Sequence, residues 1–241
     1  MKAVNGVIFI LALLLFGSPA WAAVTTPPAV SGNVNDAAAT PSADLTLTIG
    51  SLTNGALFCG VSWDGAARTL NSVTWDADGT PQALTSIAAK FDGGSSRYIQ
   101  WFYRAAPSAV TNGVVRATFD GDTSNVKVGC AAFESVDQTT PVRASTWNTA
   151  SGAAVTITTV VDDVTMTTVI ASGSVTSSDR TDFFADNTGE PFRGDDYHLA
   201  TSTSTTHTWT ASGASTLGTV GFSVMAAASG STAVRRRPVM Y

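Results

Sequence analysis

The residues best suited to chemistry lie in one stretch of this 241-residue chain. Asp182, Asp186 and Glu190 are followed closely by Asp195 and Asp196. Oxygen ligands gathered this way could hold Ca²⁺, which takes roughly six to eight oxygens in irregular geometry, although the spacing matches no EF-hand loop. A solvated, Asp-rich connection between strands is the other reading. Phe183, Phe184, Arg193 and Tyr197 are interleaved with the acids, and Trp209 follows in the next strand-like segment. Aromatic and hydrogen-bonding side chains on a long irregular loop are suited to a ligand-binding rim. These five residues are therefore a candidate site for a glycan or another cell-surface ligand. Phe183 and Phe184 could equally tuck under the loop and close the end of a sandwich.

Other chemistries find little support. Glycoside hydrolysis needs two carboxylates facing each other across the bond. The only glutamates are Glu134, in an otherwise apolar strand, and Glu190, and no E-x-D-x-x-E strand signature accompanies them. No G-x-S-x-G elbow occurs, and His198 and His207 lack a recognisable nucleophile partner, so both read as surface or edge residues. No catalytic residue is assigned, and the chain reads as a non-enzyme. Two sulfurs, Cys59 and Cys130, sit in separate apolar segments. In an oxidising compartment they could form a disulfide, contributing roughly 3 to 4 kcal/mol in the chain-entropy model. Free buried cysteines on neighbouring strands are the alternative. Beyond the Ca²⁺ reading no cofactor is expected, because two isolated sulfurs and two distant histidines match no metal-ligand spacing.

The segments that must position these residues begin with a leader. Lys2, the apolar run 7–16 and the Ala20-Trp21-Ala22 ending read as a secretory signal over residues 1–22, cleaved after Ala22, with an uncleaved N-terminal anchor as the alternative. That run is too short to cross a bilayer and no other segment is long and apolar enough, so no membrane span is expected after cleavage. A secreted or cell-surface location follows, extracellular or on a virion. The formal charge of −5 becomes −6 without Lys2, which argues against a nucleic-acid partner. Sixteen Asp stand against two Glu, and Thr, Val and Ser abound, a bias towards turns and strands over surface helices.

Residues 23–42 show no periodicity and read as an extended linker or arm. Residues 43–228 carry the fold. Asp44 to Ile49, Val114 to Phe119, Val155 to Thr158 and Thr206 to Thr210 alternate polar and apolar residues, the period of strands buried on one face. Asn54-Gly55, Asp64-Gly65, Asp78-Gly79 and Asn112-Gly113 punctuate the chain at strand spacing, giving about twelve candidate strands of a sandwich or barrel. Residues 229–241, with Arg235, Arg236 and Arg237, read as a flexible basic tail. Of the five tryptophans after the leader, Trp63, Trp75, Trp101, Trp147 and Trp209, at least three are expected in the core.

The segments Trp101-Phe-Tyr-Arg-Ala-Ala-Pro107, Gly113-Val-Val-Arg-Ala-Thr-Phe119 and Gly129 through Asp137-Gln-Thr-Thr-Pro141 resemble a pattern in uncharacterised bacterial and phage jelly-roll proteins. Ser135 stands where that pattern usually has Gly. The resemblance implies a single-domain, all-β, antiparallel jelly-roll or concanavalin-like β-sandwich, and no reaction. Within it Asp137 reads either as an Asx-type turn former, with Pro141 fixing the following φ, or as part of a ligand-contacting loop; the structural reading is preferred.

The function expected is non-catalytic: surface adhesion, glycan binding or decoration of an assembly. The alternative is a self-associating subunit of a virion or extracellular filament, with the 23–42 arm lending a strand to a neighbour. A polysaccharide-cleaving enzyme is third. Aromatic and acidic groups converging on one concave face would support a ligand site, whereas a flat surface lined by Thr would count against it.

Overall fold

The computed structural model describes residues 22–26, 28, 30–36, 40–64, 68–92, 97–149, 154–171, 174–177, 181–186, 192–211 and 217–228. Sixteen strands and no helix occur among them, every strand pair is antiparallel, and no sheet closes into a barrel. The all-β sandwich class expected from alternation and turn spacing is therefore present; the strand order does not itself define a jelly roll.

The strands stack in four layers. In the first, β2 (Thr40–Ile49) and β4 (Leu70–Trp75) flank the first half of β8 (Val110–Phe133), with β5 (Gln82–Ala83) at the edge. The second half of β8 passes into layer two, where it lies between β1 (Val30–Asp36) and β3 (Ala56–Asp64), followed by β7 (Arg97–Ala105) and β6 (Thr85–Asp92). Layer three has the order β13 (Thr181–Asp186), β14 (Phe192–Leu199), β11 (Val164–Ala171), β16 (Leu217–Val224), β9 (Val142–Asn148). Layer four is β10 (Ala154–Thr158), β15 (Ser204–Ala211), β12 (Val175–Ser177). The first half of the chain thus builds layers one and two, and the second half builds layers three and four.

Burial follows this order. Outer-layer strands face solvent on one side, and the four alternating segments of the sequence all fall in layers one and four, β2 with the burial pattern ieiBeBeBeB among them. The central strands of the inner layers have no solvent side. In β3, Leu57, Cys59, Val61 and Trp63 enter the core against layer one, while Ala56 and Phe58 enter the core shared with layer three. Val164, Met166 and Ile170 of β11 meet that shared core, and Thr165 and Thr167 between them reach hydrogen-bond partners on the other side. Cys59 and Cys130, directly paired between β3 and β8, form a disulfide inside the first core.

The lead-in is more structured than a linker. Val24 is 2% exposed in the shared core, and β1 pairs with β8 of its own chain over seven residues. Sequence periodicity misses β1 because its Val-Ser-Gly-Asn-Val-Asn-Asp run carries only two apolar side chains. The leader before Ala22 and the tail 229–241 lie outside the described residues.

The Asp137 corner joins the two halves. Asp137 Oδ1 accepts the N–H groups of Thr139 and Thr140 at 2.8 and 2.7 Å, an Asx-type turn. Val136 bridges to Ala226, and Ser135 N–H donates to Thr53 O. Ser135 lies at φ 60, the left-handed region that favours glycine.

Candidate functional site

The expected ligand rim does not form as a loop. Thr181–Asp186 and Phe192–Leu199 are the paired strands β13 and β14, with a register shift between Asp182 and Phe184. Successive residues of β14 point to opposite faces, so Arg193 and Asp195 turn towards layer two while Gly194 and Asp196 turn towards layer four. Arg193 and Trp209 are 0% and 2% exposed, which corrects their assignment to a surface site. Tyr197 is half-buried against the shared core. The side chains of Phe183 and Phe184 lie outside the described residues.

Arg193 is held between layers two and three. Its guanidinium forks onto Asp195, Nε to Oδ1 at 3.0 Å and Nη2 to Oδ2 at 2.7 Å, and Nη1 donates to the main-chain oxygens of Gly60 and Lys127 at 2.9 and 2.7 Å. The guanidinium carbon also lies 5.9 Å from the centre of the Trp101 ring, within cation–π range. Thr168 donates to Asp195 and accepts from Trp101 Nε1 at 2.8 Å. Burial pushes the Asp195 carboxyl above its ordinary value, against the opposing pull of Arg193 and Thr168. Gly60 is required by close approach: a Cβ there would stand 2.6 Å from both Arg193 Nη2 and the Trp101 ring.

On the opposite face of layer three lies a constellation with catalytic geometry. His207 on β15 places Nδ1 2.9 Å from Asp196 Oδ1 and Nε2 2.7 Å from Thr165 Oγ1. A hydroxyl, an imidazole and a carboxylate in that sequence have the form of a nucleophile relay. Both ring nitrogens therefore have an oxygen partner, a carboxylate on one side and the Thr165 hydroxyl on the other, and which of them donates depends on the ring tautomer. The Thr165 hydroxyl also stands 3.1 Å from the His198 main-chain oxygen. Thr167 donates to Asp196 and accepts Trp209 Nε1 at 2.9 Å, completing the network. Thr165, Thr167, Asp196 and His207 are each 0% exposed. The expectation that His207 is a surface or edge residue is thereby overturned: alternation along Thr206-His-Thr-Trp-Thr210 turns His207 and Trp209 inward together.

Of the acidic run, Asp195 and Asp196 are buried on opposite faces of β14. Asp182 is exposed directly across from Asp196, and its carboxyl is raised by partial burial and by the negative charges of Asp196 and Asp195. The Asp186 side chain and all of Glu190 lie outside the described residues, and no group of three potential metal ligands occurs among those described. Glu134 accepts the Thr53 N–H at 2.9 Å and so braces the Asp137 corner.

An open groove of about 530 Å³ lies elsewhere, beside that corner, lined by Leu52, Asn54, Pro107, Ala109 and Gln138 among others. Trp63, Trp75, Trp101 and Trp209 are buried, as expected for at least three of the five, and Trp147 on edge strand β9 is 54% exposed. No helix among the described residues is long and apolar enough to cross a membrane. No family model, curated protein or solved structure matches the chain.

Proposed function

We propose that this chain is an exported, non-catalytic β-sandwich protein that acts through its surfaces, in adhesion, ligand binding or decoration of a larger assembly. The observation that carries this reading is the complete burial of the Thr165–His207–Asp196 array, whose members are 0% exposed and tied to Thr167, Trp209 and the His198 backbone. Members held at 0% exposure and bonded to one another turn no face towards a substrate. The leader and the Cys59–Cys130 disulfide fit export, since disulfides persist in oxidising compartments.

The test combines turnover assays on polysaccharides and esters with binding to glycan arrays and immobilised surfaces. Surface binding without turnover is the result expected. Turnover that disappears in Glu134→Gln or His207→Gln, with folding intact, would overturn the reading. Self-assembly into a larger particle is a second reading, favoured by Trp147 standing 54% exposed on the edge strand of layer three. Sedimentation of the protein and of Trp147→Ser distinguishes it: assembly lost in the variant supports this second reading.

A further inference from the structure

The residues from Ala22 to Thr25, which straddle the expected cleavage site, are part of the folded body. Ala22 N–H donates to Ala227 O at 3.0 Å, Val24 N–H to Asp162 O at 3.1 Å and Thr25 N–H to Glu134 O at 3.2 Å. Those acceptors come from distant stretches of chain, after β8, before β11 and after β16. The Val24 side chain is 2% exposed in the core shared by layers two and three, whereas Ala23 beside it is exposed. The segment thus lies against the corner where the Val136–Ala226 bridge joins the two halves of the sandwich.

We propose that folding shields this chain's own processing site: once Ala22 to Thr25 have docked, the Ala22–Ala23 bond is closed to a leader-removing peptidase, and a chain that folds first keeps its leader. The inference rests on the exported reading above and adds to it a regulation of leader removal. The step is a hydrolysis. The oxygen of one water joins the Ala22 carbonyl carbon, the C–N bond breaks, and the two protons of that water go to the Ala23 nitrogen, leaving a carboxylate and an ammonium.

A peptidase that recognises small residues such as Ala20 and Ala22 must take the strand on both sides of the bond into its cleft, where main-chain hydrogen bonds hold an extended substrate. In the folded chain the N–H groups of Ala22 and Val24, one on each side of the bond, are already bonded within the protein. Val24 stands second after the bond, so Ala23 alone precedes the core in the cut chain. To cut the folded chain, the peptidase must first draw Val24 out of the shared core, and cleavage then follows the population of the opened segment. The Ala22–Ala227 bond belongs to the uncut chain, because Ala22 departs with the leader. The contacts of Val24 and Thr25 belong to both forms, so cutting first leaves the same anchor for folding.

The test uses the full-length chain, folded in mild detergent with its leader and its disulfide, and a purified leader-removing peptidase. Each precursor is compared with a synthetic peptide of its own residues 13–31, which reports the cleavage rate of the same sequence outside the fold. Products are identified by mass and N-terminal sequencing, and circular dichroism melts report folding. The folded wild-type precursor should be cut at least about tenfold more slowly than its peptide, with the new terminus at Ala23. Val24→Asp places a charge in the buried position and should bring that ratio to within about threefold, whether it loosens the segment or the whole fold. Val61→Ala weakens the first core, away from the segment, and should leave the ratio at the wild-type value. Equal rates for the folded wild type and its peptide would overturn the proposal, as would protection that persists in Val24→Asp or is lost equally in Val61→Ala. A wild-type peptide that is not cut at all overturns the export reading and this inference together; a folded precursor cut as fast as its peptide overturns this inference alone.

Discussion

Arg193 Nη1 on β14 donates to the main-chain oxygen of Lys127 on β8 at 2.7 Å, although 66 residues separate them. The bond ties layer three to layer two, and the bidentate pair with Asp195 fixes the guanidinium that makes it. Removing one member of a fully buried ion pair strands the other charge and costs about 3 to 5 kcal/mol, whereas replacing both by apolar groups of similar volume is often neutral. Arg193→Ala should therefore lower the unfolding free energy by about 3 to 5 kcal/mol. The double variant Arg193→Met/Asp195→Leu should lose less than the single one. Urea denaturation of the three proteins checks the ordering, and a double variant weaker than Arg193→Ala would refute it.

The Cys59–Cys130 disulfide crosslinks positions 71 residues apart inside the first core. Replacing both cysteines by alanine should lower stability by about 4 to 4.5 kcal/mol in the chain-entropy model. Thermal melts with and without reductant provide the check: the wild type should lose stability on reduction, and the double variant should not respond.

Ala106 adopts φ 47 while its N–H donates to the Gly55 oxygen at 2.9 Å. The left-handed conformation costs an L residue about 1 to 2 kcal/mol, partly offset in the variant by the larger backbone entropy that glycine loses on folding. Ala106→Gly should raise stability by up to about 1 kcal/mol, and Ala106→Val should lower it. Melting temperatures moving in the same direction for both would contradict this account.

Asp182 gives a signed pH dependence. Its carboxyl is raised by partial burial and by Asp196 and Asp195, so the folded state holds this proton more tightly than the unfolded chain does. Its contribution to stability therefore improves as pH falls through the raised value towards the ordinary carboxylate range near about 3.9. Above that window the ionised group opposes folding. Asp182→Asn should be more stable than the wild type at pH 7, with the difference closing near pH 4. Melts at the two pH values test this, and a difference that widened on acidification would show the wrong sign.

The legible parts of the fold and those that were hidden differ for a physical reason. Asp44 to Ile49 and Thr206 to Thr210 show a period of two because water covers one of their faces. β11, buried at all eight positions, reads as Val-Thr-Met-Thr-Thr-Val-Ile-Ala, and the threonines that look like solvent-facing residues point into the interior. The missed array follows from that: Thr165 and Thr167 are recognisable as partners only once β15 is placed over β11. The Arg193-x-Asp195 spacing does signal two side chains on one strand face, but not the carbonyls of Gly60 and Lys127 that await them. His207 was within reach of the sequence, because its parity with Trp209 places both on the buried side. The Asp137 turn was legible because its partners, Thr139 and Thr140, are local.

The central claim is that Thr165, His207 and Asp196 form an interior support and not a reaction centre. Treating the native protein with an acylating or phosphonylating probe for activated hydroxyls, followed by peptide mass spectrometry, tests it most directly. The account predicts no adduct on Thr165, and a loss of thermal stability in His207→Gln. An adduct on Thr165 of the folded protein that disappears in His207→Gln would contradict it.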